Sequence, residues 1–327
     1  MEKNIDLYFD DNYGKLYEKI ENGKYVKFEI ETVNGKVSNR FLLREIPEKI
    51  EDIKYYDIVT PYGYGGPIIE NLIGNKEELL REYEEKFEDY CKNNNIISEF
   101  IRFHPLVKNY EDFKIYNPIY MRKTLITKLD EEDVIQNQFG KSAKRNIKQA
   151  INKGVTYRII EEPTDLSNFK KLYYDTMDRN DATDYYYFDD EYFGNIIKYF
   201  KDKVILFEAI FEDKVISSIM CFKWNKTLHE HLSATNSNYL YLSASYLLKK
   251  AIVLWGIENN CEILHHGGGK SNNPDDSLYL FKKNFAKLYE TDFYVGKKIW
   301  NQEIYDKLCK MKNIDSNESF FPAYRKH

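Results

Sequence analysis

The stretch HLSATNSNYLYLSASYLLKKAIVLWGIENNCEILHHGGG, from His231 to Gly269, reads as strand, loop, helix and strand in succession. Residues 227–235 make the strand and 236–242 the loop. The helix covers roughly 243–259, and a strand over 262–265 runs into Gly267-Gly268-Gly269. A helix start of this kind offers unpaired N–H groups and the positive end of a dipole. Ser243 and Ser245 add two hydroxyls there, either as caps or as ligands of a bound anion, and the two roles are compatible.

The same order of elements stands earlier in the chain. Ile58-Val59-Thr60 leads into Pro61-Tyr62-Gly63-Tyr64-Gly65-Gly66-Pro67, then a charged amphipathic helix over 76–93, then Phe100-Ile101-Arg102-Phe103-His104. Further strands are expected at 25–31, 40–44 and 119–127 in the first half, and at 156–160, 204–211, 215–224 and 288–295 in the second. Helices are expected at 166–179, 275–285 and 302–312. Residues 131–153 read as one long helix stopped by Gly154, a natural left-handed cap, and serve as a connector. The repeat is one of order without sequence identity. It predicts an α/β (α+β) chain of two similar halves, 1–153 and 154–327.

Composition narrows the function classes. A chain of 327 residues is long enough for two ordinary cores. The net charge of −5 argues against a protein built mainly to coat nucleic acid, while leaving room for a local basic patch. The 29 tyrosines and 20 phenylalanines suit core and half-exposed strand positions, or a ring-lined cleft. Cys91, Cys221, Cys261 and Cys309 form no CxxC pair and read as reduced, buried thiols. Acidic Glu2 and Asp6 stand where a signal peptide needs a basic patch, and no apolar run approaches a bilayer span of about 20 residues, so a cytoplasmic location is expected. No Walker loop, GxSxG elbow or GxGxxG is present, which leaves hydrolase and dehydrogenase chemistry unsupported.

Four stretches together resemble the FemAB-like transferases, a branch of the GNAT acyltransferase superfamily. They are Thr60 to Pro67, Phe100 to Pro105, Lys144-Arg145-Asn146-Ile147-Lys148-Gln149-Ala150 with Gly154, and Gly267-Gly268-Gly269 with Ser277 to Phe285. The resemblance implies two tandem GNAT-like lobes, each a mixed, mostly antiparallel sheet flanked by helices, with a cleft between them. It also implies a transferase that forms an amide on a cell-envelope precursor, an amino sugar or a peptidoglycan-type peptide. No tightly bound cofactor is implied. The preferred acyl donor is acetyl-CoA or a relative; the alternative is aminoacyl-tRNA, as in the FemAB branch proper. A non-catalytic sugar- or peptide-binding protein on the same fold is a third reading. Partners would be a nucleotide- or lipid-linked envelope precursor and tRNA, with no DNA.

Phe281-Lys282 matches the Phe-Lys pair that approaches the reacting ends of donor and acceptor in such enzymes. A fixed cation there would lower the barrier for an oxyanion, whereas alone Lys282-Lys283 reads as a solvated helix face. Arg179 with Tyr185 and Tyr187 resembles the acceptor's nucleotide or phosphate site, although Asp178, Asp181 and Asp184 make an ion-pair role equally natural. Tyr64, Gly65 and Arg102 lie in the motifs that would face the acceptor. His104 stands where family members tend to carry Asp before the proline, which implies a different acceptor or a general base, or else a buried, hydrogen-bonded ring. The stretch Asn236 to Ser245 lacks the Gln/Arg-x-x-Gly-x-Gly/Ala loop of coenzyme A enzymes, which weakens that donor.

His229-Glu230-His231 puts two imidazoles on one strand face, without an evident third ligand for a metal. Glu230 or His231 is a candidate for deprotonating the amine. Lys141, Lys144, Arg145 and Lys148 form a stripe at helical spacing, a solvated face or a seat for tRNA or diphosphate.

Overall fold

The computed structural model describes residues 5–273 and 275–326. In chain order come α1 (Asp11–Lys15), β1 (Gly23–Thr32), β2 (Gly35–Glu45), β3 (Tyr56–Val59) and β4 (Ile68–Leu72). Next are α2 (Lys76–Asn93), β5 (Ile96–Arg102) and β6 (Ile119–Lys128). Then follow α3 (Val134–Gln138), α4 (Lys141–Asn152), β7 (Thr156–Glu161), α5 (Ser167–Arg179) and α6 (Asp190–Phe200). The strands β8 (Val204–Phe211), β9 (Lys214–Trp224) and β10 (Thr227–Thr235) precede α7 (Ala244–Glu258). Last are β11 (Ile263–Gly267), α8 (Ser277–Lys283), β12 (Tyr289–Ile299) and α9 (Gln302–Met311).

The expected mixed α/β class with mostly antiparallel strands is what forms. The division of the chain differs from the expected 1–153 and 154–327. One compact unit takes the residues up to Met121 together with those from Asp292 on; the other is Arg122–Thr291. Two contacts explain the shift. β12 pairs with β5, Val295 opposite Arg102, and Arg325 donates through Nε to the buried Asp57 at 2.5 Å. Both draw the last part of the chain into the first unit.

In the first unit the strands run β1-β2-β3-β5-β12, with β4 on β2. β3 and β5 are parallel and joined through α2. That helix forms because Leu79, Tyr83, Phe87 and Cys91 fall on one buried stripe, while Asn75 caps its start by accepting from the Glu78 N–H. The ring of Phe87 stacks on Tyr83, so part of the aromatic wealth is core.

In the second unit the order is β6-β11-β10-β9-β8-β7. Here β10 and β11 are the parallel pair, joined through α7. The element order repeated in the sequence is thus a crossover helix between two parallel strands in each unit.

The helix expected over 131–153 is two helices. α3 stops at Gln138, whose side chain turns back to bond both the N–H and the carbonyl of Lys128. α4 restarts after Gly140. It is also no free connector, because Ala143, Ile147 and Ala150 lie in the core of the second unit. Its end follows expectation: Gly154 has φ +84°, its N–H bonds the Ile151 carbonyl and the Val155 N–H bonds that of Ala150. All four cysteines are free and buried. No helix among the described residues is long and apolar enough to cross a membrane.

Two glycines separate backbone strain from packing. A Cβ added at Gly154 or at Gly194 within α6 meets nothing within 4 Å, but only Gly154 has a positive φ. Gly154→Ala should cost about 1 kcal/mol, and Gly194→Ala should gain about 0.5–1 kcal/mol. Urea unfolding of both variants beside the parent checks the opposite signs.

Candidate functional site

In the second unit β11 ends in Gly267, which has φ +72° and lets the chain turn sharply. The carbonyls that follow are held by two cations. Lys282 Nζ donates to the Gly268 carbonyl at 2.8 Å, and Arg122 Nη1 to that of Gly269 at 2.6 Å. Asp276 caps α8 by accepting from the Tyr279 N–H at 2.8 Å, and it also accepts from the Ser271 N–H. A Cβ at Gly269 would sit 2.6 Å from the Asp276 carboxylate, so this turn fits tightly on the helix that carries Lys282.

Behind the turn lies a buried polar group inside an otherwise apolar core. Lys249, near the middle of α7, forms an ion pair with Glu230 of β10; their side chains are 5% and 8% exposed. The other Glu230 oxygen accepts from His266 Nδ1 at 2.9 Å, and Thr127 Oγ1 lies 2.9 Å from His266 Nε2. Burial works against the Glu230 charge, but Lys249 and then His266 outweigh it and hold the carboxyl well below the usual range. Burial also lowers the pKa of His266, despite the opposing pull of Glu230.

Lys282 feels the same surroundings with the opposite sign. It is half-buried, and burial followed by the like charge of Lys249 lowers its pKa to about 8. Two carboxylates, Glu230 and Asp276, thus face three cations, Lys249, Lys282 and Arg122. The surplus positive charge suits an anion, including one that exists only in a transition state.

The remaining expected residues divide by unit. Phe281 packs beside Lys282, its ring 5.2 Å from Tyr246 in the first turn of α7. Ser243 and Ser245 stand at that helix start, where Ser243 has φ +55° and makes no side-chain cap bond. Arg179 ends α5 exposed, its Nη1 donating to the Thr235 carbonyl at 2.6 Å and to Ser237 Oγ at 3.0 Å. Tyr187 donates to Asp178, and Tyr185 lies ring to ring with Tyr186 at 5.3 Å.

Neither expected base on β10 has the properties of one. Glu230 is held ionised by its ion pair, which makes it a weak proton acceptor. Burial, then neighbouring His229, lowers the His231 pKa to about 3, and its Nε2 lies 2.6 Å from the Tyr192 hydroxyl. Among the described residues no group of three or more His, Cys, Asp or Glu is placed to hold a metal ion.

In the first unit His104 is a turn-building histidine rather than an open base. Its ring is fully buried, Nδ1 accepts from the Leu106 and Val107 N–H groups, and Nε2 lies 3.1 Å from Asp6. Gly65 is also committed to structure, its N–H donating to the Arg102 carbonyl and its own carbonyl accepting from Asn109. Asn109 Nδ2 reaches the Pro67 carbonyl as well, so this one buried amide clamps the glycine loop. Arg102 is spent on the Thr60 carbonyl at 2.9 Å, and the Tyr64 ring packs 5.6 Å from that of His104.

Sequence reasoning missed Lys249, Arg122, Asp276 and Asn109. Only Lys249 left a signal, a lysine pair at Lys249-Lys250 inside the apolar run from Leu247 to Trp255.

Comparison with known proteins bears out the FemAB-like resemblance. The FemAB family model matches residues 80–212. A UDP-N-acetylmuramoylpentapeptide-lysine N(6)-alanyltransferase of Weissella viridescens is 26% identical over 210 residues, covering 62% of this chain and 61% of the relative. The match thus spans about three-fifths of that relative's length. The crystal structure of FemX superposes with a TM-score of 0.68 at 14% identity, covering 94% of this chain and 95% of FemX. L-PGS from Bacillus licheniformis gives 0.56 at 11% identity, with 95% and 98% covered. These two likenesses speak for the fold.

Removing one side of the buried pair strands a charge. Lys249→Ala should destabilise the protein by about 3–5 kcal/mol, and the double variant Lys249→Met, Glu230→Gln by much less. Because the Glu230 pKa is lowered on folding, the pair's contribution is complete above the ordinary carboxylate pKa of 4.5 and is lost only as pH falls toward the folded value. Chemical unfolding of both variants at pH 7 and pH 4 tests the two statements together.

Proposed function

We propose that this FemAB-like chain is an aminoacyltransferase that moves an aminoacyl group from an aminoacyl-tRNA to an amine of a peptidoglycan-precursor peptide. The observation that carries this reading is Lys282, a half-buried cation beside a glycine turn in a cluster with surplus positive charge. The acceptor class comes from the alanyltransferase relative, and the donor from the FemAB-like resemblance.

In the proposed reaction the neutral amine attacks the ester carbonyl of the aminoacyl-tRNA. The C–N bond forms as the carbonyl oxygen becomes negative. Collapse then breaks the ester C–O bond, and the ribose hydroxyl leaves with the proton that the amine gives up. Lys282 would face the developing oxyanion, with Lys249 and Glu230 fixing the surrounding field and Phe281 shaping the wall beside it. Glu230 and His231 have no proton-accepting part in this scheme, since one is locked in an ion pair and the other is a very weak base. Exposed Arg179, with Tyr187 nearby, is assigned to the precursor's phosphates.

Alanyl-tRNA and acetyl-CoA, offered separately with a UDP-linked muramoyl pentapeptide, decide the donor. Amide product from alanyl-tRNA alone is expected, and product from acetyl-CoA alone overturns the reading. Lys282→Ala should fold normally and lose about 10²–10³ in turnover. Since the Lys282 pKa lies at about 8, its cation is present below that pH and lost above it. Turnover should therefore fall on the alkaline side near pH 8, and Lys282→Arg, charged throughout, should remove that limb.

A further inference from the structure

α4 has two chemically opposite faces. Ala143, Ile147 and Ala150 are buried, while Lys141, Arg145 and Lys148, four and three residues apart, form an exposed stripe. None of these three cations has a carboxylate partner among the described residues. They stand unneutralised in a chain whose net charge is −5.

Helix electrostatics do not account for them. The first turn of α4 holds no acidic residue, yet it begins with Lys141 and includes Lys144. Cations at that end oppose the helix dipole at a cost of about 0.3–1 kcal/mol each. The start of α4 is also tied to the candidate site. The Gly140 N–H donates to the carbonyl of Asn284, the residue that closes α8, at 2.7 Å, and the Phe139 and Phe285 rings meet at 5.3 Å. A polyanion lying along α4 is thereby led to the helix that carries Lys282.

We propose that the Lys141–Arg145–Lys148 face of α4 receives the phosphate backbone of the RNA donor. The proposal rests on the aminoacyl-tRNA reading and deepens it by assigning the donor's docking surface. From Lys141 to Lys148 the helix rises about 10 Å, enough for the stripe to meet more than one phosphate of a backbone. An anionic membrane would attract the same charges, but interfacial helices also insert an apolar face. That face of α4 is already packed in the core.

The test uses the full chain with Lys141→Gln, Arg145→Gln and Lys148→Gln combined. The control removes equal charge from other exposed positions, through Lys86→Gln, Lys92→Gln and Lys310→Gln. Deacylated tRNA is the probe, titrated over a range of salt. The α4 variant should lower the slope of log affinity against log salt by about 2–3. It should raise KM for alanyl-tRNA at least about tenfold, leaving kcat and KM for the pentapeptide precursor unchanged, while the control stays near wild type. Equal effects of the two triples, or wild-type affinity in the α4 variant, overturn the assignment. So does α4-dependent binding to anionic vesicles without binding to tRNA. If the wild type accepts only acetyl-CoA, the functional reading itself falls, a result distinct from every outcome of the tRNA titration.

Discussion

An ammonium group in the middle of a core helix is tolerable only when a charge of opposite sign meets it there. Lys249 meets that condition through Glu230, and the second unit is arranged around their contact. β10 must present the carboxylate toward α7. The parallel neighbour β11 must bring His266 to the other oxygen, and β6 supplies Thr127 behind it. The polar centre thus fixes three strands and a helix in mutual register, where apolar packing alone would accept several arrangements.

The same pair shapes the behaviour of Lys282. Because Glu230 is already committed to Lys249, and Asp276 to the Ser271 and Tyr279 N–H groups, neither carboxylate fully offsets Lys282, whose pKa is lowered. A cation of this kind is ready for an anion that appears late. It gains most when negative charge develops beside it and least when the site is empty, which is the property a transition-state ligand should have.

Much of the fold is legible in the sequence because periodicity reports burial. The stripe Leu79, Tyr83, Phe87 and Cys91 announces α2, and the Gly154 stop appears where the backbone turns left-handed. The break between α3 and α4 is not legible, since it depends on Gln138 reaching back to Lys128, a tertiary contact without a local signature. The division of the chain escapes for the same reason, because the pairing of β12 with β5 joins residues about two hundred positions apart. At the candidate site, Lys282 stands out by resemblance rather than by physics. The same resemblance points to His104, Gly65 and Arg102, whose polar groups are spent on holding the glycine loop and the turn beside it. A motif residue can be shared because it binds, or because it keeps a loop in shape, and only geometry separates the two.

The return of the chain to its first unit bears on the order in which the molecule can be made. The second unit is continuous in sequence and has all of its strands and helices once Thr291 has been synthesised. The first unit must wait for β12 to flank β5, and for Arg325 to reach an Asp57 translated some 268 residues earlier. During synthesis the amino-terminal half therefore leaves the ribosome first and finishes folding last. Until then a nascent sheet edge at β5 stands without its final neighbour, and Asp57 has Arg44 but not yet Arg325, which leaves that half exposed to wrong pairings for longer.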